Sequence, residues 1–393
     1  MSVICALDLV GIRLASSEYR PRHLQRTPGW LQVFRYRELV PLRPADGPLG
    51  PPWSRPASGA FDALVVQSEL LEGNPLGDPA RRPLYVYSSP GVVGGSATEV
   101  SSVYVLQGFT GQLDAWLARK SFEPNFIERL DAMFAAPDRD CPEAVIVFVD
   151  AWTALGGSQF LNSPATGRYM DYVCDEVVPF IDSRYPTSAS RERRAVAGHS
   201  SGGYGALVLS MLRPDTFGGL IAHSADTLFQ SCYMPDFATT VRILRDHYNG
   251  SYEALIAEVR VADRFDWNRW GSPLNAYAMA AAYSPDHERP GRVLLPFDTR
   301  TGELVQSVWE RWLDHDPVRM ASRHVDALRS MRHIHVEAGR GDEYMLDVGA
   351  GALAHQLERH GVEHSFELFD GGHSGIAHRY APAIADLLRS LDS

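Results

Sequence analysis

Three observations predict an α/β fold for this chain, a doubly wound, mostly parallel sheet with a helical lid insertion. From residue 61 on, short apolar runs alternate with amphipathic helical segments. That rhythm buries parallel strands between two layers of helices. One of those runs, Ala195-Val196-Ala197, leads through Gly198-His199-Ser200-Ser201-Gly202 into Gly203-Tyr204-Gly205-Ala206-Leu207. Strand, sharp turn and helix in that order are what a G-x-S-x-G pentapeptide needs to act as a nucleophile elbow. Finally, about a hundred residues separate the strand ending near Ser224 from the one starting near Ile334, too many for an ordinary connection within such a sheet.

Taken in order, residues 1–60 stand apart as an N-terminal extension. They hold eight Arg against four acidic residues, and six Pro fall between Pro41 and Pro56. Leu31–Val40 has strand character, and the Pro-rich stretch after it reads as an extended connector. Residues 61–393 form the main domain. Asp62–Glu72 and Pro83–Ser88, joined by a turn-rich segment, predict an antiparallel pair at the sheet edge. The buried strands follow at Ser102–Leu106, Ala144–Val149, Arg194–Ala197, Gly219–His223, Ile334–Glu337 and Phe366–Phe369. Helices are expected at Phe122–Phe134, Tyr169–Ile181, Gly202–Leu212, Tyr344–Arg359 and Ala381–Leu391. In Tyr344–Arg359, Leu346, Leu353 and Leu357 share one face and Gly361 supplies the stop. Residues 226–331 are the insertion, with helices expected at Phe237–His247, Tyr252–Val261, Leu304–Leu313 and Met320–Arg329. Trp267, Trp270, Trp309 and Trp312, half the tryptophans of the chain, fall there. Because the insertion leaves the sheet beside the elbow, it reads as a lid over Ser200.

Composition narrows the function. The net charge of −11 is dispersed, with no basic stripe, so nucleic acid is not an expected partner. Lys120 is the only lysine, a bias that reflects composition rather than chemistry. No apolar run approaches a membrane span, and the apolar start is broken by Asp8 and lacks a basic lead-in and cleavage site. These features predict a cytoplasmic protein without a membrane partner. Cys5, Cys141, Cys174 and Cys232 are scattered without metal-type spacing and are expected as free thiols.

A serine hydroxyl needs a histidine to take its proton and a carboxylate to orient that histidine. His373, in Asp370-Gly371-Gly372-His373-Ser374-Gly375, follows the last predicted strand. Asp342, in Glu337-Ala338-Gly339-Arg340-Gly341-Asp342, follows the strand before it. They lie 31 residues apart, the length of one right-handed crossover unit, so both should emerge at one edge of the sheet. His378 is a rival base and should lie in the following helix. Glu343 and Asp347 rival Asp342, since an aspartate after glycine can merely cap a helix. Oxyanion donors are expected at the backbone N–H of Ser201 and, in the loop Gln107-Gly108-Phe109-Thr110-Gly111, at that of Phe109. Trp152, Gln159 and Phe160 are candidate pocket residues, with an ordinary loop as the competing reading. His333 and His335 alternate on a strand without a third ligand in register, which favours core histidines over a metal site. No metal or cofactor is called for.

These pieces resemble the putative esterase family of the α/β-hydrolase superfamily, which includes enterochelin-type esterases, S-formylglutathione hydrolases, feruloyl esterases and mycolyltransferases. The resemblance spans Phe61 to Leu391. It rests on Pro83-Leu84-Tyr85-Val86-Tyr87, Tyr104 to Phe109, Glu176-Val177-Val178-Pro179-Phe180-Ile181 and Ala195 to Leu207. It implies an α/β-hydrolase fold with nucleophile Ser200, acid Asp342, base His373 and oxyanion donors Phe109 and Ser201. The chain departs from the pattern at Gln107, where many relatives carry histidine, and in the long insertion.

The expectation is therefore a serine esterase that cleaves a small carboxylic ester through an acyl-enzyme on Ser200. Acyl transfer or thioester cleavage with the same triad is the alternative, favoured if the four tryptophans make the lid dry. A non-catalytic binding protein on the same scaffold would show a broken triad. The acyl and alcohol groups and homo-oligomerisation stay open.

Overall fold

The computed structural model describes residues 57–393 apart from 121, 138, 139 and 290. Cys5, the strand expected at Leu31–Val40 and nearly all of the N-terminal extension lie outside the described residues. The apolar runs form strands β1 (Ala60–Gln67), β2 (Arg81–Ser88), β3 (Ser101–Leu106), β4 (Ala144–Val149), β5 (Arg194–His199), β6 (Gly219–His223), β7 (His333–Gly339) and β8 (Ser365–Phe369). They hydrogen-bond into one sheet in the order β1-β2-β4-β3-β5-β6-β7-β8. Only β2 runs antiparallel to its neighbours; every other pair in the sheet is parallel. The chain steps from β3 to β4 on one side and returns to β5 on the other, so the order reverses between β3 and β5. Crevices at the carboxyl ends of strands flanking such a switch are where α/β folds bind ligands.

Strand alternation divides the core between the two faces of the sheet. Val103, Val105, Ala195, Ala197 and Ile221 pack on one side with Phe126, Tyr380 and Leu387. Tyr104, Leu106, Val196, Leu220 and Ala222 pack on the other with Tyr204, Phe229 and Trp312. The first side is covered by α1 (Phe126–Phe134) and the C-terminal helix Ala377–Asp392. Helix α1 starts four residues later than expected because Asn125 and Glu128 close a reciprocal capping box there. The expected helix at Tyr169–Ile181 is present but wound as π-helix over Tyr172–Val177 before α2 (Val178–Asp182). Pro179 has no N–H to return to Asp175, so the regular ladder is broken at that point. Helix α3 (Ser201–Leu212) is buried all round, leaving only its last residue partly exposed.

The insertion is richer in helix than the sequence suggested. It holds α4 (Met234–Tyr248), α5 (Tyr252–Val261), α6 (Trp267–Tyr283) and α7 (Gln306–Leu313). Helix α6 was not anticipated, because Gly271 and Pro273 sit inside it; Asp266 caps its start on Asn268 and Arg269. The single helix expected at Met320–Arg329 is instead three short turns, Pro317–Met320, Ala321–Arg323 and Val325–Arg329. Helix α8 (Leu346–Arg359) follows β7, and α9 (Ala377–Asp392) begins four residues before the expected Ala381 despite Pro382. Among the described residues, no helix is long and apolar enough to cross a membrane.

Candidate active site

In-register pairing aligns the carboxyl ends of the central strands. Leu106 pairs with Gly198, His199 with His223, His223 with Glu337, and Gly339 with Phe369. The loops that follow carry Phe109, Ser200, Asp226, Asp342 and His373 at one edge of the sheet. Ser200 occupies the turn between β5 and α3 with φ 58° and ψ −126°, a conformation that costs a non-glycine residue about 1–3 kcal/mol. Two backbone bonds hold it: the Ser200 N–H donates to the His223 carbonyl at 3.0 Å and the Tyr204 N–H donates to the Ser200 carbonyl at 2.9 Å. The turn also requires its glycines, since a Cβ on Gly198 would overlap Gly202 and one on Gly202 would overlap the Leu106 carbonyl.

His373 Nδ1 lies 2.8 Å from Asp342 Oδ2. The other Asp342 oxygen accepts from the Tyr344 N–H at 3.0 Å. Burial pushes the Asp342 carboxyl up, but the hydrogen bond and charge of His373 outweigh it and hold the group below its ordinary range. Glu343 takes a different part: its carboxylate accepts from the backbone N–H of His373 at 2.8 Å. Asp347 lies in the first turn of α8. His378 is exposed in the first turn of α9, its Nδ1 3.1 Å from the Gly375 carbonyl.

The loop after β3 approaches the elbow closely. A Cβ on Gly108 would stand 3.2 Å from both the His199 carbonyl and the Ser200 Cβ. The loop is anchored by the Thr110 N–H donating to the Gly156 carbonyl at 2.8 Å. Among the described residues, the N–H groups of neither Phe109 nor Ser201 go to another backbone carbonyl. Ser201 stands at the first position of α3, where the helix leaves its N–H groups free and its dipole favours negative charge.

A cavity of about 470 Å³ opens on this edge, with Phe109, Ser200, Ser201 and His373 in its wall. The insertion supplies much of the remainder: Tyr233 and Asp236 from around the start of α4, and Trp267, Ser272 and Asn275 from α6. Of the four insertion tryptophans only Trp267 faces this space. Trp309 and Trp312 are buried in the main core, and Trp270 packs in a satellite cluster with Leu244 and Tyr248. Trp152, Gln159 and Phe160 are not brought to the large cavity. They line a neighbouring void of about 10 Å³ that shares Gly108, Phe109 and Ser201 with it, room for roughly one water.

Two residues of the site went unrecognised in the sequence. His199 packs against His373 with ring centroids 4.4 Å apart and planes tilted by 38°, and its Nε2 lies 2.9 Å from the His373 carbonyl. Burial, with the neighbouring His373 and His223, pushes its imidazole down to about 3, so the ring is neutral and Nε2–H donates. Asp226 lies past the end of β6 and accepts from Ser201 Oγ at 2.8 Å and from the Tyr233 hydroxyl at 2.8 Å. Its position beyond a strand's carboxyl end was the available signal. His333 and His335 are hydrogen-bonded to Ser390 and to Ser365 and Glu337. No group of three metal-ligating side chains occurs among the described residues. Cys174 and Cys232 are free thiols.

A family model described as Putative esterase matches residues 89–389. Among solved structures, the chain is similar to a ferulic acid esterase at 18% identity and TM-score 0.55, covering 84% of this chain and 99% of that one. Fluorophosphonate-binding serine hydrolase F of Staphylococcus aureus matches at 16% identity and TM-score 0.51, over 85% of this chain and 99% of that one. The feruloyl esterase module of Clostridium thermocellum matches at 13% identity and TM-score 0.51, over 91% and 97%. At such identities the structural likeness is one of fold, an α/β-hydrolase fold. The chain belongs to the Putative esterase family and is a carboxylic-ester hydrolase.

Proposed function

We propose that this member of the family cleaves its ester in two steps through an acyl-enzyme on Ser200. His373 takes the Ser200 proton as the hydroxyl attacks the ester carbonyl, and Asp342 holds the imidazole and the positive charge it acquires. The N–H groups of Phe109 and Ser201 receive the oxyanion. The proton passes to the leaving alcohol, then water, activated by the same histidine, releases the acid. The carrying observation is that Ser200 and His373 share one cavity wall while His373 Nδ1 stands 2.8 Å from Asp342. Residues 226–331 act as a lid in this reading, since α4 and α6 supply part of the wall of the cavity that Ser200 lines. Hydrolysis is favoured over acyl transfer because one tryptophan, not four, faces the cavity, and polar side chains share its wall.

The test is labelling with a fluorophosphonate probe alongside ester turnover, in the wild type and in Ser200→Ala. Labelling and turnover that vanish together in the variant support the mechanism. Labelling that persists there, or a wild type that neither labels nor turns over esters, refutes it.

A further inference from the structure

Asp226 holds more of the site together than the proposed mechanism uses. It follows β6 as Ser200 follows β5, on adjacent strands paired at His199 and His223. One of its oxygens, Oδ2, accepts from Ser201 Oγ and the Tyr233 hydroxyl, each at 2.8 Å, and from Gln159 Nε2 at 3.2 Å. Gln159 is fixed in turn on the Tyr283 hydroxyl at 2.9 Å. Three donors on one oxygen clamp the carboxyl group in place. The other oxygen, Oδ1, has no hydrogen-bond partner among the described residues, and Asp226, only 6% exposed, lines the large cavity. A rigid, buried acceptor thus faces the space in which the substrate must sit, and such sites are built to meet a donor.

The identity of that donor follows from its surroundings. Ser201, whose hydroxyl Asp226 holds, is the residue whose N–H is assigned to the oxyanion, so the recognised group lies only a few bonds from the scissile carbonyl. Asp236 adds a second carboxyl to the same wall, and the described lining contains no Lys or Arg. An anionic substituent finds no lysine or arginine to pair with there, whereas a hydroxyl can pair with Asp226 whichever way that carboxyl is protonated. We propose, resting on the acyl-enzyme reading above, that the substrates are hydroxyl-bearing esters and that Asp226 Oδ1 selects them.

The experiment compares kcat/KM for ethyl butyrate, ethyl 3-hydroxybutyrate and 2-hydroxyethyl butyrate on the full chain, its Asp226→Ala variant and Ser200→Ala. A site that hydrogen-bonds a hydroxyl rejects the analogue lacking it. The wild type is therefore expected to favour one hydroxylated ester over ethyl butyrate by at least about tenfold. Alanine removes both carboxyl oxygens, so nothing at that position can donate to or accept from the substrate hydroxyl. That change should reduce the preference to within about threefold of unity. Wild-type ratios near one for both hydroxylated esters would overturn the proposal. So would an Asp226→Ala variant that slows all three esters by a common factor, because a residue that only positions Ser201 would act in that way. If the variant fails to fold, the wild-type ratios decide alone. Turnover of ethyl butyrate that survives Ser200→Ala would instead overturn the mechanism beneath the inference, whatever the ratios.

Discussion

The carboxyl edge of the sheet and the helical insertion both line the same cavity, yet they hold their shapes by different means. At the edge, backbone geometry governs. Ser200 is fixed by a positive φ, two main-chain hydrogen bonds and glycines that leave no room for a side chain. In the insertion, side chains govern. Trp312 is fully buried and donates its indole N–H to Ser284 Oγ at 2.8 Å, and Phe237 packs edge-on against Trp309 and Trp312. Under the proposed mechanism the difference is a division of labour: a rigid backbone frame would position the reacting groups, and a packed but replaceable cap would shape the space around them.

If the frame carries the chemistry, the largest effects belong to it. Ser200→Ala should lower ester turnover by at least about 10⁴-fold, and Asp342→Asn by a similar factor through a misoriented imidazole. Glu343→Gln should cost less than about tenfold, because Glu343 meets the backbone of His373 and not its ring. Steady-state kinetics on the three variants would separate them, and equal losses at Asp342 and Glu343 would blur the frame as drawn. In the cap, position within the packing should decide the outcome. Trp312→Ala should destabilise by about 3–5 kcal/mol. Trp267→Ala, which removes a side chain that is 59% exposed, should shift stability by less than about 0.5 kcal/mol while raising KM. Denaturant titration and kinetics together check the pair, and a Trp267 variant with unchanged KM would remove that residue from the binding surface.

A further effect is a pH dependence written into the frame. His199 is held neutral, its imidazole pushed down to about 3 from an ordinary 6.5 by burial first and then by His373 and His223. Between those values the unfolded chain binds a proton that the folded one does not. The stabilising contribution is therefore complete above pH 6.5 and is lost as pH falls toward 3, at no more than about 1.4 kcal/mol per pH unit. His199→Gln, which keeps a donor for the His373 carbonyl, should flatten that slope in thermal melts taken across the window. An unchanged slope would assign the acid sensitivity to other buried groups.

Much of the frame could be read from the chain because backbone requirements leave marks in sequence. Glycine at Gly198 and Gly202 announces the elbow, apolar runs announce buried strands, and the spacing of Asp342 and His373 announces a crossover unit. The antiparallel pair at the edge and most of the strands fall where the pattern put them. The cap was legible only in part. Helix α6 hides behind Gly271 and Pro273, and its place depends on tertiary packing that no local period encodes. The tryptophans looked like a cavity lining because burial in a core and burial against a ligand demand the same residue type. Asp226 escaped notice for a different reason: the recognition role proposed for it needs no motif, only a place beside Ser200, and that place exists once β5 and β6 are paired.

The acyl-enzyme at Ser200 is the step on which the other proposed roles depend. Its most direct test is to quench the protein during turnover of 4-nitrophenyl butyrate and map the modified peptide by mass spectrometry. A single butyryl group on Ser200, absent from Ser200→Ala, is the predicted result. A butyryl group on Ser201 or elsewhere, or turnover that persists in Ser200→Ala, would contradict it.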